Sequence, residues 1–230
     1  DSNTANVNQS GAENSVVVNQ QLNSTDNDAT VIQSGASNNA SVNQYNTSDS
    51  DSFITQQGSL NEGHIVQHNT TQTATATIDT NGIDNDANIE QQFSNGANAA
   101  ATVLQMGNLN SAEILQDDGD GSNSMIDQNG NEHIAEIRNH WSDFADATII
   151  QNVGGGNDAY INQDDSDSAK ASIIQTGAGN NGDVYQNTQN TSYSANTDDT
   201  VATLTQTGND NTGYIEQTAL SNLADVYQNG

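Results

Sequence analysis

The sequence predicts an all-β protein: a β-solenoid in which stacked strand-arch-strand units form two facing parallel sheets, amyloid-like and cross-β once assembled. Three observations predict it. A pair of glutamines eleven residues apart returns along the whole chain, aliphatic and small residues alternate before each glutamine, and glycine and asparagine stand between the two halves. Self-similarity at a period of roughly 20–50 residues marks architectures in which each unit stacks on the next.

The period comes first. Gln9 pairs with Gln20, Gln33 with Gln44, Gln56 with Gln67, Gln105 with Gln116, Gln175 with Gln186 and Gln206 with Gln217. Thr80 with Gln91 and Gln128 with Asn139 keep the spacing with one partner replaced, and Gln151 with Gln163 is one residue longer. Seventeen of the 22 glutamines fall on these two columns, so the spacing is not an accident of a glutamine-rich chain. The chain is read as a single solenoid, 1–230, of nine and a half units, approximately 3–20, 27–44, 50–67, 74–91, 99–116, 122–139, 145–163, 169–186 and 200–217, with a half unit at 222–230. An insertion is placed around Asn187 to Asp199.

Two residues before each glutamine position stands an aliphatic side chain, from Val7, Val31 and Ile54 to Val226 in first halves and from Val18 and Val42 to Ile215 in second halves. Four before it the residue is small, Val16 excepted. Alternation at a period of two signals a strand with one buried face. Between the halves, Gly11-Ala-Glu-Asn14 and Gly107-Asn-Leu-Asn110 supply residues that tolerate positive φ. An arch laying the two strands face to face is expected, because a hairpin would put both in one sheet whose apolar face has no second layer to cover it.

A lone arch leaves its backbone groups unpaired; stacking at about 4.8 Å pairs them and sets each residue above its own kind. Carboxamides one strand apart then hydrogen-bond along the axis. The expected ladder comprises Gln9, Gln20, Gln33, Gln44, Gln56, Gln67, Gln91, Gln105, Gln116, Gln128, Asn139, Gln151, Gln163, Gln175, Gln186, Gln206, Gln217 and Gln228, with Asn14, Asn38, Asn61, Asn85, Asn110, Asn157, Asn180 and Asn211 in the arches. Weak points are expected at Thr80, Asn139 and His133, the last at an asparagine position. Acidic clusters at Asp26/Asp28, Asp49/Asp51, Asp117/Asp118/Asp120, Asp164/Asp165/Asp167 and Asp198/Asp199 fall between units and should form an acidic flank.

Composition narrows function. With 31% hydrophobic and 4% aromatic residues there is little material for an ordinary core or a conventional enzyme fold. A formal charge of -28, with Lys170 and Arg138 as the only basic side chains besides histidine, repels nucleic acid and anionic lipid, and no apolar stretch approaches the roughly 20 residues of a membrane helix. Low hydrophobicity and high charge also describe disordered chains, but the repeat opposes that reading. There is no cysteine, hence no disulfide or thiol chemistry. There is no proline to protect a sheet edge either, and end rungs of like pattern make a head-to-tail, open-ended filament. At the junction Ala224, Val226 and Gln228 are expected to meet Ala5, Val7 and Gln9 of the next chain.

The tandem Ala-x-Val-x-Gln-x-Gly-x-x-Asn-x-Ala-x-Val-x-Gln units, running from Asn3 to Gly230, resemble the curlin repeats of the subunits of bacterial curli fibres. The resemblance implies a secreted protein forming functional amyloid of the biofilm matrix at the outer surface of a Gram-negative cell. Its implied partners are further copies of itself, a nucleator subunit and an outer-membrane export pore.

Sharper chemistry has few candidates. His64, His68, His133 and His140 stand in no recognisable motif with a nucleophile, so no catalytic residue and no cofactor is assigned. Asp117-Asp-Gly-Asp-Gly121 lacks the glycine and glutamate of a calcium loop, and no metal site is assigned. Thr73-Ala-Thr75-Ala-Thr77 suggests an ice-binding row, yet that run occurs in one unit only. A monomeric solenoid acting as an ice-binding or calcium-dependent adhesive module is the alternative function. Asn46-Thr-Ser48 and Asn69-Thr-Thr71 match the glycosylation pattern and receive no role. Trp141 and Phe144 are expected to cover a sheet end or edge.

Overall fold

The computed structural model describes residues 2–69, 73–92, 98–118, 120–187, 199–219 and 221–230. Most of the expected insertion, Thr70 and Thr71, Gly119 and Asp198 lie outside the described residues. In chain order the strands are β1 (Thr4–Ala12), β2 (Ser15–Gln21), β3 (Asp28–Ala36), β4 (Asn39–Tyr45), β5 (Asp51–Ser59), β6 (Glu62–His68), β7 (Thr75–Ile83), β8 (Asp86–Gln92), β9 (Ala100–Asn108), β10 (Ser111–Asp117), β11 (Asn123–Asn131), β12 (Ile134–His140), β13 (Asp146–Gly155), β14 (Asp158–Asp164), β15 (Lys170–Thr176), β16 (Asn181–Asn187), β17 (Val201–Thr207), β18 (Thr212–Gln217) and β19 (Leu223–Asn229).

Consecutive strands do not pair. Odd-numbered strands form a ten-stranded parallel sheet and even-numbered strands a nine-stranded parallel sheet, each in chain order. The connection within a unit is therefore an arch, and the protein is a β-solenoid of about nine turns. Pairing keeps every column in step: Val7 lies beside Val31 and Gln9 beside Gln33 in one sheet, Val18 beside Val42 and Gln20 beside Gln44 in the other. Among the described residues the one shift of register is at β13, where the residue behind the longer Gln151–Gln163 interval shifts the pairing after Asn129 and Val153 takes φ 45 as a bulge.

The core is the space between the sheets. Ile54, Ile78, Val103, Ile126, Ile149 and Ile173 from one side and Ile65, Ile89, Ile114, Ile137 and Ile161 from the other are almost wholly buried, with alanines beside them. Burying each such side chain contributes about 1.5–3 kcal/mol, before chain entropy is counted. Small residues set the gap between the sheets. Where Leu204, branched at Cγ instead of Cβ, replaces the usual isoleucine or valine, Gly213 faces it, and a Cβ there would stand 2.6 Å from Leu204 Cδ1.

Each arch has a fixed grammar. The glycine two residues after the first glutamine has positive φ, 103 at Gly11 and 116 at Gly107, and a Cβ on Gly107 would lie 1.8 Å from the Gly130 carbonyl oxygen one rung away. Only glycine allows both the dihedral and the approach. The second left-handed residue is not the asparagine expected from the sequence but the one before it: Glu13, Ser37, Leu60, Asp84, Leu109, Glu132 and Asp210 all have φ between 54 and 60. The asparagine instead turns its side chain inward, where hydrogen bonding outweighs its tolerance of that dihedral.

The acidic residues between units serve the turns as well as the surface. Asp26, Asp49, Asp118 and Asp165 occupy left-handed positions in four of the connectors, which a short polar side chain accepts. Phe144 does not cover a sheet end: it packs over Gly121 in the connector one rung below, and Trp141 stacks on His140 with ring centroids 4.2 Å apart.

Candidate functional site

The strongest candidate for function is the set of columns that runs the length of the solenoid and reaches both of its ends. In the ten-stranded sheet, Gln9 Nε2 donates to Gln33 Oε1 at 2.8 Å, and Gln33 donates to Gln56 at 2.8 Å. Further along, Gln105 donates to Gln128, Gln128 to Gln151, Gln151 to Gln175, Gln175 to Gln206 and Gln206 to Gln228. The other sheet repeats the scheme from Gln20 through Gln44, Gln67 and Gln91 to Gln116, and from Gln163 through Gln186 to Gln217. Every donor points toward the C-terminal end.

Each glutamine has a second N–H, and it joins the sheets. Gln33 donates to the Ser15 carbonyl, Gln128 to that of Ser111 and Gln151 to that of Ile134, always at the start of the facing strand. Glutamine is long enough to reach both the next rung and the opposite strand, so where the next rung is also glutamine both amide N–H groups are satisfied and no desolvation cost remains on the donor.

The arch asparagines form a third column with the opposite polarity. Asn38 Nδ2 donates back to Asn14 Oδ1 at 3.1 Å, Asn61 to Asn38, Asn85 to Asn61 and Asn110 to Asn85; Asn180 donates to Asn157 and Asn211 to Asn180. The same oxygens accept the next asparagine's backbone N–H, as Asn14 Oδ1 does from Asn38. The second side-chain N–H closes the arch on a glycine carbonyl, Asn38 on Gly58 and Asn110 on Gly130.

The three irregular positions behave differently from one another. Thr80 stops the first column: its Oγ1 and Gln105 Oε1 are buried without a partner. Asn139 stands in the column but is not a rung of the ladder, because its side chain is one methylene short. Its Nδ2 turns to Ser124 Oγ at 3.1 Å, and its own Oδ1 and Gln163 Oε1 go unpaired. Ser124, where most units carry alanine, also takes Gln116 Nε2 at 3.0 Å and so bypasses the break. Sequence reading grouped this serine with alanine as merely small.

His133 continues the asparagine column. Its backbone N–H donates to Asn110 Oδ1, and its Nδ1, as many bonds from the backbone as an asparagine oxygen, accepts from the Asn157 backbone N–H at 3.3 Å. That bond fixes the proton on Nε2, which is buried and unpartnered. Burial holds the imidazole pKa below its ordinary value, against a smaller opposing effect of the Asn129 backbone carbonyl.

The ends of the columns are strand edges. Among the described residues β1 pairs only with β3, and β19 only with β17. Ala5, Val7 and Gln9 are exposed on β1, while Ala224, Val226 and Gln228 are half-buried on β19. These six residues occupy the same columns at the two ends of the ten-stranded sheet, 45 Å or so apart at the ordinary strand spacing.

The two outer faces differ in charge. The nine-stranded sheet presents Glu90, Glu113, Glu136, Arg138, Asp183 and Glu216. The corresponding outward columns of the ten-stranded sheet carry Thr30, Thr77, Thr102, Thr148, Ser172 and Thr203 in one row, interrupted by Phe53 and Met125. Threonine therefore recurs on more rungs than its run in one unit suggested. The adjacent column holds Ile32, Thr55, Asp79, Leu104, Asp127, Ile150, Ile174 and Thr205, with threonine on two of these rungs and so not a second threonine row.

His140 sits between carboxylates of the neighbouring rungs, Nδ1 2.9 Å from Asp164 Oδ1 and Nε2 3.6 Å from Asp117 Oδ2. No group of three or more acidic or histidine side chains among the described residues is placed to hold a metal ion. A family model described as the curlin associated repeat matches residues 25–58, 96–137 and 198–230. No curated protein matches the chain.

Proposed function

Since the chain belongs to the curlin-repeat family, we propose that it is a structural subunit that adds head-to-tail to further copies of itself. The product is an extracellular functional-amyloid fibre at the outer surface of a Gram-negative cell, serving biofilm cohesion and adhesion. The observation that carries this reading is the pair of matching open edges: β1 and β19 expose the same columns, and the glutamine donors of the ladder all run one way. A column whose donors point toward Gln228 leaves that end a donor and the Gln9 end an acceptor, so copies stacked in the same sense continue it. Ala224, Val226 and Gln228 then lie on Ala5, Val7 and Gln9 of the next chain.

The chain stays extended during export through self-repulsion and folds as it docks on a fibre end. A nucleator subunit and an outer-membrane export pore are the further partners in this reading. The test is incubation of the purified chain followed by fibre diffraction. An axial reflection near 4.8 Å, with fibres elongating faster as salt screens the charge, is the expected result. A chain that stays monomeric while binding an ice surface or a calcium-dependent ligand would establish the adhesive-module alternative instead.

A further inference from the structure

Three of the tyrosines meet on the outer face of the nine-stranded sheet. Tyr160 on β14 is 5.3 Å, ring centroid to centroid, from Tyr185 on β16, and Tyr185 is 5.4 Å from Tyr214 on β18. They do not share a column. Tyr160 and Tyr214 flank Asp183 in one column, while Tyr185 stands between Asn162 and Glu216 in the next, so the rings form a zigzag over three successive rungs.

We propose that this zigzag is a site of oxidative cross-linking, in which Tyr185 couples to Tyr160 or Tyr214 to give a dityrosine staple between rungs. Access and proton transfer are both provided. Tyr214 is 57% exposed, and its hydroxyl donates to Glu216 Oε2 at 3.1 Å, so a base is in place for the proton that leaves when the phenol loses an electron. Tyr160 and Tyr185 remain neutral phenols: partial desolvation, then the Glu136 and Asp183 charges, hold them above the ordinary phenol pKa, although Arg138 works the other way on Tyr160.

The step balances with a peroxide as oxidant, delivered by a haem peroxidase. Two phenols each give up one electron and one proton. The two phenoxyl radicals join through the ring carbons ortho to oxygen, the ortho hydrogens shift to restore both aromatic rings, and one hydrogen peroxide becomes two waters. Radical pairs couple only at close approach, and stacked strands hold these rings near enough that side-chain rotation alone brings the ortho carbons together. The staple also falls where it constrains most. The connector between β16 and β17, residues 188–200, is longer than the 165–169 connector before it, and Tyr185 and Tyr214 lie on the rungs either side of it.

The test uses the folded full chain treated with hydrogen peroxide and a haem peroxidase, then digested with trypsin, which cuts after Arg138 and Lys170. Tyr160 is the one tyrosine in 139–170, so a product joining 139–170 to 171–230, two hydrogens lighter than the sum, reports its coupling. Mixing heavy-isotope-labelled and unlabelled chains separates coupling within a chain from coupling between chains. Expected are joined peptides of unmixed isotope content, lost in Tyr185→Phe and retained in Tyr227→Phe. Coupling of Tyr185 to Tyr214 instead leaves 171–230 as a single peptide two hydrogens lighter. The proposal is overturned if neither product forms in the folded chain, if both form equally in denaturant, or if either survives Tyr185→Phe.

Discussion

Two stretches of the ten-stranded sheet carry the same backbone and different interiors. From Gln105 to Gln228 the amide ladder is continuous, whereas between Gln56 and Gln105 it is cut by Thr80. The backbone register does not notice: Gln56, Thr80 and Gln105 still lie side by side. Strand pairing and side-chain laddering are thus separable. The first is guaranteed by stacking, and the second depends on a carboxamide of the right length at every rung.

Breaking the continuous stretch should have the largest effect. Gln128→Leu removes a donor to Gln151 Oε1 and an acceptor for Gln105 Nε2, two buried groups at roughly 1–3 kcal/mol each. Fibres or folded chains of this variant should dissolve at lower denaturant, and an unchanged midpoint would mean that the ladder contributes little. Repairing the cut stretch is the converse. Thr80→Gln, with room between identical neighbours, should gain about 1–3 kcal/mol by restoring the partner that Gln105 Oε1 lacks. A rise in the same midpoint checks it.

The bypass at Asn139 sharpens the comparison. Ser124→Ala removes the oxygen on which both Gln116 and Asn139 close, and about 1–3 kcal/mol should be lost. Ser→Ala at Ser172, on the outer face, should do almost nothing.

The smallest effect at neutral pH, and the most condition-dependent, belongs to His133. Its folded pKa is depressed, so the unfolded chain binds the proton more readily, and stability is lost as pH falls through the ordinary imidazole value of about 6.5 and below. His133→Asn should match the wild type above that pH and exceed it increasingly below. The aspartates raised mainly by burial, among them Asp86, Asp158 and Asp183, act in the opposite sense, since the folded state binds their protons more readily and gains as pH falls toward the carboxylate range. They are common to both chains, so the difference between wild type and variant isolates the histidine. Parallel pH profiles for the two would refute the assignment.

The period, the facing of two sheets and the inward residues could all be read from the chain, because a unit that repeats must place chemically alike side chains on like positions and alternation at two fixes which of them face inward. Glutamine columns followed from the same reasoning. The direction of the ladders, opposite for glutamine and asparagine, did not: it depends on which oxygen lies within reach once the arch is closed. Nor did the left-handed residue before each asparagine, or Ser124 acting as a relay. The outward neighbours were hidden for a further reason. Connectors differ in length from unit to unit, so Tyr160, Tyr185 and Tyr214, or the threonine row, become neighbours only when the inward columns have locked the register. The sequence alone determined what must be buried together. The tertiary structure decided who donates to whom and which surface residues meet, because both depend on distances of an ångström or two that stacking sets and spacing along the chain does not.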